Sequence, residues 1–261
     1  GDLNDVVTNN SPIDIDKLIE GTNEILSANR NSLQLFDMLH SMRQFDDLTY
    51  VHSVNVALIA SILGQWLKFS EKDIRILTIS GLLHDIGKIM IPNEILTKPG
   101  KLTVAEYNIM KQHVNFGYEK VKNQNIDIRI KEACLLHHEK CDGTGYPFGL
   151  KSDQIPAVAK IIAIADVYDA MTSARVYRGA LCPFEVIDTM YKDAFTKFEP
   201  EYILPFLKNV ASSYINNDVR LSDGRIGKVV LINENALSLP IVQCEDEFID
   251  LSKTRGCLLY T

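Results

Sequence analysis

Residues 82–88 read Leu82-Leu83-His84-Asp85-Ile86-Gly87-Lys88, an apolar helical run ending in an imidazole, a carboxylate and, one turn later, an ammonium group. His84 and Lys88 are four positions apart and so share a helix side. These groups cannot be buried alone, because an uncompensated charge in a protein interior costs several kcal/mol. They want either solvent, or a metal together with an anion. The stretch therefore separates two folds, one with an ordinary polar helix end and one with a charged site set into an apolar core.

The other histidines bear on that choice. The chain has six: His40, His52, His84, His113, His137 and His138. Apart from the adjacent pair they fall in separate helical patterns, which excludes the compact ligand spacing of a zinc finger. One histidine on a helix is more often a satisfied polar residue than a ligand. A fold that gathered the set would reverse that expectation. Asp166 interrupts the apolar run Ile162-Ala-Ile-Ala-Asp-Val-Tyr-Asp169 and is a ligand candidate, against the plainer alternative of a buried cap or ion pair. Asp169 reads as a structural acid, and Cys141, close to the histidine pair, as an incidental cysteine.

Composition sets wider limits. The 261 residues suffice for one domain and a small appendage, and 46% apolar with 23% charged residues is ordinary for a folded globular chain. No apolar stretch is long enough to cross a bilayer, and no signal peptide is visible from Gly1. Five cysteines without a CxxC pair suit reduced thiols and a cytoplasmic location. A formal charge of −7 argues against DNA or RNA as a general partner, so an anionic ligand must meet a local positive site.

Helical patterns are expected at about 31–45, 50–67, 71–86, 103–122, 126–138, 153–174, 183–196 and 200–216, after an N-terminal helix entered at Ser11-Pro12. The stripe on that first helix could join a partner chain or pack on its own domain. Ser70-Glu-Lys-Asp73 and Thr103-Val-Ala-Glu106 are helix-start patterns. After Asn217 the character changes: Asp223-Gly224 forms a turn, Ile226–Ile232 a strand, and a second strand follows Pro240. The expected division is an N-terminal helical region 1–45, a helical core 46–216 and a β-rich appendage 217–261.

The motifs fall in a recognisable order. His52-Ser-Val-Asn-Val56, His84-Asp-Ile-Gly-Lys88, Ile91-Pro-Asn-Glu-Ile-Leu96, Lys98-Pro-Gly-Lys-Leu-Thr103, His113 before Gly117, His137-His-Glu139, Asp142-Gly-Thr-Gly-Tyr-Pro147, Asp166-Val-Tyr-Asp-Ala170 and Arg175-Val-Tyr-Arg178 together resemble an HD-GYP domain of the HD phosphohydrolase superfamily. The resemblance implies a mainly α fold, an HD-domain helical bundle carrying the small C-terminal β appendage. It also implies a metal-dependent phosphodiesterase acting on the second messenger cyclic di-GMP and releasing pGpG or GMP. Carried over, the metal ligands would be His52, His84, Asp85, His113, His137, His138 and Asp166, with Asp85 bridging two divalent ions. Iron or manganese suits such mixed imidazole and carboxylate ligands, without excluding zinc.

Members with three metals carry a glutamate where this chain has Leu48, and Asp47 points elsewhere on a helix, so two ions are expected. In the implied reaction a metal-bridging hydroxide attacks phosphorus, with His84 and Asp85 in the metal centre and Lys88 stabilising phosphate charge. Lys88 could instead simply pair with Asp85 or Asp166. Tyr146 would stack on a base or merely pack its turn, in which Gly143 and Gly145 supply unusual backbone conformations and Pro147 stiffens the exit. Arg175 and Arg178 would take the second phosphate or a guanine. The alternatives are a catalytically weak cyclic dinucleotide receptor and an HD phosphohydrolase of another cyclic nucleotide. An upstream sensor domain and a homodimer through the N-terminal helix are further expected partners.

Overall fold

A computed structural model of the chain describes residues 48–173, 181–254 and 259–260. The N-terminal helical expectation, Asp47, Arg175 and Arg178 lie outside the described residues. The chain divides into two compact units, one built from residues up to 170 with 196–199, the other from 171–195 and 200 onward.

In the first unit the described helices are α1 (Leu48–Trp66), α2 (Glu71–Leu83), α3 (Asn93–Leu96), α4 (Val104–Met110), α5 (His113–Val121), α6 (Ile128–Leu136) and α7 (Ala157–Thr172). A 3₁₀ turn, Ile86–Met90, follows α2. Residues 52–64 of α1 are buried without interruption, as are most of residues 158–166 of α7. Helices apolar all round belong in the middle of a unit, so any polar side chain they carry must find its partner inside. α1 packs on α2, α6 packs on both α2 and α5, and the 3₁₀ turn lies against α5. That last contact needs Gly87: a Cβ there would stand 2.0 Å from the His113 carbonyl oxygen and 2.4 Å from the Gly117 nitrogen.

The two helix-start patterns are real caps. Ser70 Oγ accepts from the Asp73 N–H, and Thr103 with Glu106 forms a complete capping box. α7 starts at Ala157 rather than 153, the helices expected over 183–196 and 200–216 end at Asp193 and Ser213, and two further departures fall at the site. The run expected to reach residue 86 leaves the α-helix after Leu83, and the run expected over 103–122 breaks between Met110 and His113. In both places a histidine ring competes for a carbonyl that a continuous helix would need, as described below.

The second unit holds α8 (Pro183–Asp193) and α9 (Pro200–Ser213), which pack together, and an antiparallel sheet in the order β4-β3-β2-β1-β5. β1 (Asp218–Leu221) pairs with β2 (Ile226–Leu231) around the expected Asp223-Gly224 turn, and β3 (Ile241–Cys244) pairs with both β2 and β4 (Glu247–Asp250). The short β5 (Leu259–Tyr260) adds to the free edge of β1. Alternate residues such as Val219, Leu221, Val229 and Val242 are buried, the period of a sheet with one covered face.

Gly87→Ala should lower unfolding stability by roughly 1–3 kcal/mol, the usual cost of inserting atoms into a filled contact, and this is checked by urea denaturation followed by circular dichroism.

Candidate metal centre

Each histidine of the site is placed by a helix or its end. His52 lies in α1; His84 and Asp85 follow the last residue of α2; His113 opens α5 just after α4; His137 and His138 follow α6; Asp166 lies in α7. All are buried except the partly exposed His138. The first unit thus brings together every described ligand expected from the sequence. Within 4.8 Å groupings, Asp85 stands with His113, His137 and His138 on one side and with His52 and His84 on the other.

Helix-end carbonyls orient three of the rings. His84 Nδ1 donates to the Gly81 carbonyl at 2.7 Å, His113 Nδ1 to that of Met110 at 2.8 Å, and His137 Nδ1 to that of Ala133 at 2.9 Å. A carbonyl oxygen only accepts, so each Nδ1 carries a proton and Nε2 is the ring atom turned inward. In a continuous helix the Gly81 and Met110 carbonyls would accept from residues 85 and 114. The rings take those carbonyls instead, at the two places where the helix ends early. His52 is oriented by a carboxylate instead: its Nδ1 donates to Asp169 Oδ2 at 2.7 Å, while Asn55 Nδ2 donates to Oδ1 of the same group at 2.9 Å.

The two oxygens of Asp85 face different rings. Oδ1 is 3.4 Å from His113 Nε2 and 3.9 Å from His137 Nε2; Oδ2 is 3.2 Å from His84 Nε2 and 3.6 Å from His52 Nε2. Asp166 sits across from it, with Oδ1 3.1 Å from His52 Nε2 and Oδ2 3.9 Å from His138 Nδ1. Lys88 Nζ donates to Asp85 Oδ2.

The electrostatics follow from that crowding. Burial alone would raise the Asp85 carboxyl, but the charges of His84 and Lys88 hold it well below the usual carboxylate range. Burial likewise opposes ionisation of Asp166, and the hydrogen bond and charge of His52 overcome it. Burial pushes His138 down to about 4 and His137 well below the ordinary imidazole value, and it lowers His113 as well. Those three rings are therefore neutral, the form that ligates a cation. His52 differs. Burial pulls it down, yet its hydrogen bonds to Asp166 and Asp169 outweigh burial and hold it up at about 9. A neutral His52, with Nδ1 donating to Asp169, would set a lone pair against the Asp166 carboxylate, so that contact calls for a proton or a metal cation. His84 Nε2 and Asp85 Oδ1 are buried without a hydrogen-bond partner. Orphaned nitrogen and carboxylate donors converging in one place fit a divalent cation.

The histidine pair leads into the Gly-Tyr-Pro turn. Tyr146 stacks on His138, ring centroids 4.7 Å apart, and meets His113 and Tyr107 edge-on at 6.5 Å. The Lys111 ammonium lies 5.3 Å from the Tyr107 ring centre and 5.9 Å from that of Tyr146. Sequence reasoning left Asn55, Tyr107 and Lys111 unassigned and gave Asp169 no specific partner. A signal existed for two of them, since Asn55 and Asp169 stand three residues after His52 and Asp166 and so on the same helix sides. Tyr107 and Lys111 are one helical turn apart, but what ties them to the site is Tyr146, which comes from another segment.

The HD domain family model matches residues 22–202. The chain belongs to the HD domain family. Among relatives, this HD domain is 37% identical over 203 residues to the cyclic di-GMP phosphodiesterase PA4108 of Pseudomonas aeruginosa, covering 77% of this chain and 49% of that protein. It is also 37% identical over 173 residues to 3′3′-cGAMP-specific phosphodiesterase 1 of Vibrio cholerae, covering 65% of this chain and 38% of that one. The chain spans about half the length of the first of these relatives, and less of the second. A solved HD-GYP-type protein, Bd1817 of Bdellovibrio bacteriovorus, superposes with a TM-score of 0.62 at 19% identity, over 78% of this chain and 66% of that one. It shares the fold. No helix among the described residues is long and apolar enough to cross a membrane.

Asp169→Asn should weaken divalent-metal affinity by about 10–100-fold, the range for partners that orient a ligating histidine; metal retention after dialysis against graded chelator concentrations measures it.

Proposed function

We propose that this HD domain is an HD-GYP-type phosphodiesterase that hydrolyses cyclic di-GMP to pGpG or GMP. The observation that carries the reading is Asp85, whose two carboxylate oxygens address two separate sets of imidazoles. Relatives named as phosphodiesterases of cyclic dinucleotides support the substrate class.

Two divalent ions would be held by His52, His84, Asp85, His113, His137, His138 and Asp166, with iron or manganese the metals that best suit the mixed imidazole and carboxylate donors. Leu48, in the position of the glutamate of three-metal relatives, has no ligating atom, which supports two ions rather than three. Bound there, such ions supply Lewis acidity towards a phosphodiester and a deprotonated water at neutral pH. The chain's own groups do the rest. The Nδ1 bonds to helix-end carbonyls aim the imidazoles, burial favours the neutral form of His113, His137 and His138, and Asp85 and Asp166 hold negative charge where cations must sit.

Lys88, with its side chain 22% exposed, can leave Asp85 for a phosphoryl oxygen of the substrate, placing a positive charge where negative charge grows. Tyr146 offers its ring to a purine. Arg175 and Arg178 would take the other phosphate or a guanine edge. The N-terminal helical pattern is the segment through which a second copy or a sensor domain would join, and a cytoplasmic setting suits a second-messenger hydrolase. A mixed cyclic dinucleotide is the second reading, because the 3′3′-cGAMP-specific relative is as similar in identity as the cyclic di-GMP one.

Metal-loaded protein incubated with cyclic di-GMP and, separately, 3′3′-cGAMP should convert the first faster, with linear pGpG or GMP resolved by chromatography; preference for the second nucleotide would reassign the substrate, and binding without product would make the domain a receptor. Chelation should abolish turnover and re-addition of metal restore it. Lys88→Ala should reduce kcat by roughly 10²–10³-fold, as for other single charge-stabilising donors, whereas undiminished turnover would leave Lys88 only its ion pair with Asp85.

A further inference from the structure

The metal centre leaves one neighbouring buried carboxylate without a role. Glu139 follows His138 directly and is only 4% exposed. Backbone N–H groups are its partners, and no cationic side chain among the described residues pairs with it: Phe148 and Gly149 donate to Oε1 at 2.6 and 3.1 Å, and Leu150 donates to Oε2 at 2.9 Å. Three donors on one buried carboxylate form a strong, specific clamp.

The clamp grips the far side of the Gly-Tyr-Pro turn. On the near side the turn lies directly on the backbone of residues 138–140. A Cβ on Gly145 would be 2.4 Å from Glu139 Cα, and the Tyr146 N–H donates to the His138 carbonyl at 3.2 Å. Beyond the turn, packing offers little hold until Leu150, which meets the cluster of Leu136, Ile155 and Ala159. Phe148 is 63% exposed and Gly149 has no side chain. Between the Tyr146 ring on His138 and the apolar anchor at Leu150, the Glu139 carboxylate fixes the chain.

We propose that Glu139 is a positioning residue for substrate binding, whose carboxylate holds the 148–150 backbone so that Tyr146 stands beside His138 with its ring set for a nucleotide base. This rests on the phosphodiesterase reading above. Adjacent residues then have linked tasks: His138 faces the metal centre, and Glu139 holds the loop that carries the aromatic surface next to it.

The test compares wild type with Glu139→Gln. A glutamine can accept from Phe148 and Gly149, but its amide group turns a donor towards the Leu150 N–H. Amide hydrogen exchange across 148–150 should accelerate, and KM for cyclic di-GMP should rise roughly tenfold, the scale of one lost charge-assisted hydrogen bond. Metal content and kcat should stay close to wild type. Gly149→Ala puts a side chain at a φ of +69°, loosening the same segment from outside the carboxylate, and should raise KM in the same direction; it serves as the second variant if Glu139→Gln does not fold. Unchanged exchange, or faster exchange with unchanged KM, would overturn the proposal. So would a parallel fall in kcat, metal content and melting temperature, which is what a purely structural residue would give. A wild-type protein that turns over neither cyclic dinucleotide would overturn the phosphodiesterase reading as well, whereas normal wild-type turnover with an indifferent Glu139→Gln sinks this inference alone.

Discussion

Carbonyl groups freed at helix ends are the constraint on which the site depends. The last turn of an α-helix leaves acceptors without intrahelical donors, and a histidine near the end can fill one. Here Gly81 and Met110 each accept from the Nδ1 of a ring just beyond their helix, and Ala133 accepts from both the N–H and the Nδ1 of His137. One bond does two jobs. It occupies a helix-end carbonyl and it turns Nε2 towards the site. His52, inside a helix rather than at an end, has no such carbonyl to spare and uses the Asp169 carboxylate.

The apolar interior makes these bonds matter. α1 and α7 are buried nearly all round, so His52, Asp166 and Asp169 are largely shielded from bulk water. A charge in that setting must be matched locally or it destabilises the fold. The network sets carboxylate against imidazole, yet leaves His52 Nε2, His84 Nε2 and Asp85 Oδ1 without hydrogen-bond partners. Polar atoms left over at one point in a well-paired network are what a cation site looks like from the protein side. Gly87 lets the pieces meet, because the 3₁₀ turn crosses α5 with no room for a side chain and so brings His113 to the Asp85 carboxylate.

The Gly-Tyr-Pro turn adds an aromatic wall to this charged floor. Tyr146 on His138, with Tyr107 and the Lys111 ammonium beside it, offers ring faces and a positive charge within one short stretch of surface. Bases and phosphates differ in what they need, the first a flat polarisable partner and the second a cation. Both kinds of group are present here.

The sequence by itself determined the class of fold and the identity of the gathered side chains. The apolar periods of α1, α2 and α7, the caps at Ser70 and Thr103 and the Asp223-Gly224 turn are local signals, and the ordered motifs from His52 to Asp166 named the same residues that the first unit assembles. Three strands, β1, β4 and β5, escaped notice because they are short and owe their form to pairing with neighbours. Tertiary structure alone decided where α2 and the 103–122 helix end, which oxygen of Asp85 meets which ring, and that Glu139 grips residues 148–150. The reason is physical: periodicity records which face of an element is apolar, whereas a ring capturing a carbonyl or a carboxylate capturing backbone N–H groups depends on distances set only when the elements pack.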